Sequence, residues 1–204
     1  MTLTVFGDST SGNCLKVKWI LDLLEIDYQW TEIDVRSGET RQAPFLTLNP
    51  SGQVPAVRLA DGRTLAQSNA ILTYFGEGTR LIPKDKFDRA RMFEWLFWEQ
   101  YSHEPYIAVR RFQLAYLKKR PEDLSPHLKE RGDAALARME TGLENREWLA
   151  GTDLSLADIA LAAYTRMAGD GGFELADYPR VCAWVDRVEA ALGLDASSRR
   201  CVPA

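Results

Sequence analysis

Thr2 to Phe6 alternates apolar with β-branched residues, and that pattern predicts a first strand. A polar loop, Gly7 to Asn13, follows it. Leu15, Val17, Trp19, Ile20, Leu21, Leu23 and Leu24 then recur at spacings of three and four, which predicts an amphipathic helix. Tyr28 to Val35 reads as a second strand, and Ser37 to Leu48 as a polar stretch with one irregular helix. Ala56 to Leu59 and Thr64 to Ala66 flank Asp61-Gly62, a hairpin turn signal. Ser68 then opens a short helix through Phe75. Beyond Phe87 no strand pattern returns. Arg89 to Lys119 is one long aromatic-rich helical pattern that Pro105 should kink or split. Leu128 to Leu149 is a further amphipathic helix. Ser155 with Asp158 three residues on is a capping box, and Leu154 and Ile159 are its hydrophobic staple. An almost wholly apolar helix runs on to Met167, ended by Gly169 to Gly172. Tyr178-Pro179 starts a last helix to about Leu192, and a polar tail, 195–204, should fray.

The first 77 residues therefore read β-α-β-α-β-β-α, the order used by thioredoxin-like α/β domains, with a parallel first pair of strands and an antiparallel hairpin. Glycines, Pro83, charges and little periodicity between Gly76 and Lys86 mark a linker, drawn at 78–87. Residues 88–204 are all helical. The expected architecture is a small α/β N-terminal domain followed by an all-α domain.

Composition narrows the partners. In 204 residues, 46% hydrophobic and 26% charged, the net charge is only −4, which argues against nucleic acid or an anionic membrane surface. No apolar run has the ~18 residues of a membrane span, and the start shows no signal-peptide pattern. Cys14, Cys182 and Cys201 are widely spaced and odd in number, which suits reduced thiols in a cytoplasm better than a disulfide framework. His103 and His127 stand far apart, and no metal-ligand spacing occurs.

Asn49-Pro50-Ser51-Gly52-Gln53-Val54-Pro55 breaks any helix and leads into a strand. Taken alone it is a loop. If Val54-Pro55 is cis, the chain reverses there and the backbone of Val54 is turned outward, able to pair with an extended peptide. Ser11 and Ser68, taken alone, are N-caps, and Asn13 is a turn residue.

Four stretches in order change that reading: Ser11-Gly12-Asn13-Cys14-Leu15-Lys16-Val17, Asn49-Pro50 to Gln53-Val54-Pro55, Gln67-Ser68-Asn69-Ala70-Ile71-Leu72, and Ser155-Leu156-Ala157-Asp158. Together they resemble the cytosolic glutathione transferases, most closely the bacterial serine-type branch near the theta, beta and nu classes. The resemblance implies glutathione as co-substrate, no metal, a homodimer, a cytoplasmic setting and conjugation of the thiolate to a small hydrophobic electrophile. A glutathione-dependent disulfide reductase or peroxidase, or a non-catalytic binding protein of this fold, is the alternative. It implies Ser11 as donor to the sulfur, with Asn13 as a second donor and Ser9 and Thr10 as rivals in the same loop. Val54, ahead of Pro55, would pair with the cysteinyl unit, and Ser68 would receive the γ-glutamyl carboxylate at a helix N-terminus. Gln67 stands where the family often has an acidic residue for the γ-glutamyl amine. Arg41 and Gln53 would meet the glycine carboxylate. Tyr106, Arg110 and Gln113 would line the electrophile pocket. The Ser68–Phe75 helix would lie against the partner's first long helix. Cys14 stands where glutaredoxin-like relatives have the second cysteine of a Cys-x-x-Cys pair; with Ser11 in the first position no internal dithiol cycle exists, and Cys14 reads as a packed hydrophobe. Lys16 and Lys18 read as a solvated helix face, and Asp158 as a folding residue.

Overall fold

A computed structural model describes residues 2–195; past Asp195 the expected frayed tail lies outside the described residues. The chain divides into two compact units, 1–79 and 80–204. In the first, β1 (Thr4–Gly7), α1 (Gly12–Leu23), β2 (Gln29–Glu32), α2 (Ala43–Leu48), β3 (Ala56–Arg58), β4 (Thr64–Ala66) and α3 (Ser68–Gly76) follow one another as the pattern predicts. The sheet order is β2-β1-β3-β4. Thr4 pairs with Gln29 in the parallel register, and Val5 with Val57 in the antiparallel one. Val5, Val57, Val17, Ile20, Ile71 and Leu72 are fully buried, so the sheet and the inner faces of α1 and α3 supply the core. The second strand is shorter than the apolar pattern suggests. It is a largely exposed edge, and Ile33 is buried just beyond it.

The second unit is helical: α4 (Lys86–Trp98), α5 (Glu104–Arg111), α6 (Pro126–Gly142), α7 (Leu156–Thr165) and α8 (Pro179–Ala191). Asp85 caps α4 by accepting from the amides of Phe87 and Asp88 at 2.9 and 3.0 Å. The long aromatic pattern is split as Pro105 requires: a π turn at Glu99–His103 precedes α5, and a second at Phe112–Tyr116 follows it. Proline has no N–H to continue the ladder, and the wider turn absorbs the missing bond. The predicted Leu128–Leu149 helix ends earlier, at Gly142; Leu149 and Ala150 are buried in a turn, so their apolar character reflects packing and not helix.

Asp158 ties this unit together. Its carboxylate is fully buried and accepts from Ser155 N at 2.9 Å, Ser155 Oγ at 2.7 Å, Leu149 N at 2.9 Å and Trp184 Nε1 at 2.8 Å. Burial pushes its pKa up, and the four donors oppose that. Two glycines of α6 seat aromatic rings. A Cβ on Gly132 would lie 2.3 Å from the Phe173 ring, and one on Gly142 would lie 2.7 Å from the Trp95 ring. Cys14 is a free buried thiol. Among the described residues, no helix is long and apolar enough to cross a membrane, and no group of His, Cys, Asp or Glu gathers as a metal site.

Candidate functional site

The loop between β1 and α1 sorts its own hydroxyls. Ser9 donates through N and Oγ to Glu32 Oε1, at 2.8 and 3.0 Å. Burial opposes ionisation of Glu32, but Ser9 and Trp30 Nε1, 2.6 Å from Oε2, together hold its pKa below the usual range. Thr10 donates through N and Oγ1 to Asp8 Oδ1, at 2.8 and 2.6 Å. Both rivals of Ser11 thus have hydroxyls turned to carboxylates. Ser11 stands at the N-cap position of α1 in extended conformation and makes no side-chain capping bond. Its hydroxyl is hydrogen-bonded to the thiol of Cys14, where burial pushes the pKa up to about 12 and the Ser11 hydroxyl and the Asp8 amide pull against it. The Asp8 amide lies 3.4 Å from that sulfur.

Asn13, the second residue of α1, joins α1 to α3. Its Oδ1 accepts from Ser68 Oγ at 3.0 Å and from Lys16 Nζ at 2.7 Å. Lys16 is fully buried, which corrects its assignment to a solvated face; Lys18 is exposed and paired with Asp22 at 2.6 Å. Ser68 is the first residue of α3 and is 5% exposed. Gln67 holds the N-cap position at φ 70° and ψ 112°. This backbone region is costly for a side chain other than glycine and persists where surrounding structure over-determines it, often at binding sites.

The Asn49 loop is braced from within. Asn49 Nδ2 donates to Gln53 O at 2.7 Å, Asn49 Oδ1 accepts from Ser51 N at 3.1 Å, and Gly52 turns at φ 62°. Arg41, exposed, donates from Nη1 to Ser51 O at 3.4 Å, which sets it against the loop that carries Gln53. The Val54–Pro55 peptide is cis. Among the described residues no hydrogen bond engages the backbone of Val54.

Each of the three residues expected around the electrophile has a partner within the second unit. The Tyr106 ring meets the His127 ring edge-on at 5.6 Å and lies under the Arg131 guanidinium at 5.5 Å. Arg110 is 8% exposed and donates from Nε to Gly171 O at 2.8 Å, so it fastens α5 to the turn at 168–171. Gln113 accepts from Lys119 at 3.3 Å. Sequence reasoning missed Lys16, Glu32 and Asp8 as organisers of the loop. For Lys16 the spacing put it on the face of Asn13, three residues on in a helix, without showing that this face is buried.

A mixed four-stranded sheet flanked by helices, with Ser11 and Ser68 at two helix starts, defines a thioredoxin-like unit, and an all-helical unit follows it. Residues 10–77 match the glutathione S-transferase N-terminal domain, and residues 96–191 match the C-terminal domain. The crystal structure of a glutathione S-transferase from Pseudomonas fluorescens Pf-5 matches with a TM-score of 0.89 and 42% identity, over 100% of this chain and 98% of that one. One from Xanthobacter autotrophicus Py2 gives 0.90 and 44%, over 97% of both chains. Disulfide-bond oxidoreductase YfcG of Escherichia coli K12 is 29% identical, over 91% of this chain and 88% of its own. The chain belongs to the glutathione S-transferase family, enzymes built around glutathione.

Proposed function

We propose that the chain binds glutathione on its first unit, stabilises the thiolate and conjugates it to a small hydrophobic electrophile. The observation that carries this reading is the joining of two helix N-termini through Asn13: Ser11 opens α1, Ser68 opens α3, and the Ser68 hydroxyl donates to the Asn13 amide. Helix starts favour anions. One would receive the sulfur, with Ser11 and Asn13 as donors, and the other the γ-glutamyl carboxylate. Val54, its backbone unengaged, pairs with the cysteinyl unit, and Pro55 follows it. Gln67 accepts from the γ-glutamyl ammonium as a neutral amide. Gln53 and the exposed Arg41 take the glycine carboxylate.

A free thiol of pKa about 8.5 is only ~3% ionised at neutral pH, and lowering it by about two units requires ~2.7 kcal/mol. Two charge-assisted hydrogen bonds and a helix dipole supply that. The thiol proton goes to solvent, a sulfur lone pair forms the new C–S bond, and the leaving group departs with its electron pair. We assign the electrophile and the dimer contacts to the second unit. Of the three side chains expected there, Tyr106 and Gln113 keep accessible surface, while Arg110 is committed to packing. A cytoplasmic setting, where the glutathione pool is reduced, fits this chemistry.

A second reading rests on the Escherichia coli relative that is named as a disulfide-bond oxidoreductase. There the same thiolate attacks a disulfide sulfur, a thiol leaves, and a second glutathione resolves the mixed disulfide to glutathione disulfide. Calorimetry with glutathione, then turnover of an aryl halide against turnover of a mixed disulfide, tests both. Conjugation of the aryl halide supports the transferase. Disulfide turnover alone replaces it with the reductase, binding without turnover makes the chain a binding protein, and no binding overturns all three.

A further inference from the structure

We propose that Lys16 is a positioning residue of the thiolate site, an inference that rests on the function proposed above. Its side chain is fully buried inside α1, and its ammonium lies 2.7 Å from Asn13 Oδ1. A buried ammonium is costly to keep, since desolvation opposes the charge. Such a group persists where a partner compensates it. One compensating atom belongs to a residue that also holds Ser68, at 3.0 Å.

The chemistry of the two side chains determines the orientation of Asn13. A lysine ammonium has three donors and no acceptor, so the amide atom facing it must be the oxygen. The Ser68 hydroxyl donates to the same oxygen. With Oδ1 held by two donors, Nδ2 projects from the opposite side of the amide, and the residue presents a donor and not an acceptor away from Lys16. A thiolate accepts hydrogen bonds only; an Asn13 rotated by half a turn would offer it an oxygen and repel it. Lys16 therefore acts through Asn13. It selects the amide orientation that an anion requires, and it adds a unit positive charge to the partial positive charge at the start of α1. Arg41, the other cation assigned to the site, is exposed and set against the Ser51–Gly52 loop. Arg41 is thus suited to a carboxylate at the rim, and Lys16 to the charge at the sulfur.

The test is an ultraviolet titration of the glutathione thiolate bound to the unmutated protein and to Lys16→Met, an unbranched side chain one atom shorter than lysine and without its donor or charge. The unmutated protein comes first. If it binds no glutathione, or binds it with the thiol pKa of free solution, the proposed function fails and Lys16 is not at issue. If its thiol pKa is lowered, Lys16→Met should raise that pKa by about one unit, and kcat/KM near neutral pH should fall about tenfold. The deficit should close at high pH, where the thiol ionises unaided. In Asn13→Ala, adding Lys16→Met should change the titration less than it does alone, by the part of the effect that passes through the amide and not through the charge. Lys16→Gln, which keeps a donor and loses the charge, should titrate between the two, and it decides the matter if the methionine variant does not fold. Superimposable titrations of the unmutated protein and a folded Lys16 variant, whatever the change in Tm, would reduce Lys16 to a buried structural residue.

Discussion

Ser11 occupies the N-cap position of α1 without capping it, which leaves its hydroxyl to the sulfur chemistry around it. Among the described residues, no hydrogen bond joins its hydroxyl to a histidine or carboxylate that could take its proton and make it a nucleophile. Ser11→Ala should therefore raise the pKa of the bound glutathione thiol and leave the dissociation constant much less changed. Losing one donor to an anion is worth ~1.5–3 kcal/mol, or roughly 10- to 150-fold in kcat/KM near neutral pH. A thiolate titration coincident with that of the unmutated protein would return Ser11 to an ordinary loop serine. Cys14 behaves oppositely. Burial defers its ionisation from the ordinary 9.0 to about 12. In the folded protein the peptide carrying it should stay unalkylated near pH 8 and react once denatured. The deferral also has a sign in stability: the benefit is complete below 9.0 and is lost as pH rises toward about 12, because the unfolded chain releases this proton first. Between about pH 8 and pH 10 the unmutated protein should lose ~1.4 kcal/mol more than Cys14→Ala, read from denaturant midpoints. Residue type and spacing gave Ser11 and Ser68 as caps and Asn13 as a turn residue, and only the family resemblance assigned them to a site. Type and spacing did not reveal that Lys16 is buried, since a lysine on a helix is usually solvated and only the Asn13 and Ser68 contacts show why this one is not.

Among the elements, capping signals were more legible than lengths. Ser155 and Asp158 announced the start of α7, and the hydrogen bonds to Leu149 and Trp184 show that the same carboxylate also holds the preceding turn and α8. Those distant partners carry no local pattern, so the sequence could name the cap but not the node. Asp158→Ala would leave Leu149 N, Trp184 Nε1 and the Ser155 donors without an acceptor in a buried space, at a cost of about 3–5 kcal/mol. The expected result is a Tm lower by roughly 10 °C or more, while the thiol pKa of any glutathione still bound in the folded fraction stays unchanged. A variant with unaltered thermal unfolding would show that the node is dispensable. Helix ends were blurred for a stated reason: apolar residues continue past Gly142 because the turn at Leu149 and Ala150 is itself buried. Pro105 marked the break in the long aromatic pattern, but nothing in the residues distinguished a kink from the two π turns that flank α5.

For the whole molecule, the two-part architecture was readable because the strand pattern stops before residue 80 and only helical periodicity follows. The surroundings of the proposed electrophile were not, since a pocket made of side chains from packed helices would carry no motif. The second unit does leave aromatics in the open: Phe97 is 74% exposed and Tyr101 80%, with Phe93 stacked on Phe97 at a centroid distance of 6.4 Å. An apolar stripe of this kind fits the proposed homodimer. Light scattering at micromolar concentration should give about twice the chain mass of 23.0 kDa, and Phe97→Glu should bring it down toward that mass. A single-chain mass for the unmutated protein would end the dimer assignment. The two ring seats of α6 have a consequence for anyone trying to make this protein more heat-resistant. Replacing helical glycines with alanine is a routine route to gain up to about 1 kcal/mol per site. At Gly132 and Gly142 the added methyl would evict Phe173 or Trp95, so both sites should be excluded from a stabilising library, and improvement of α6 has to come from its outward-facing positions.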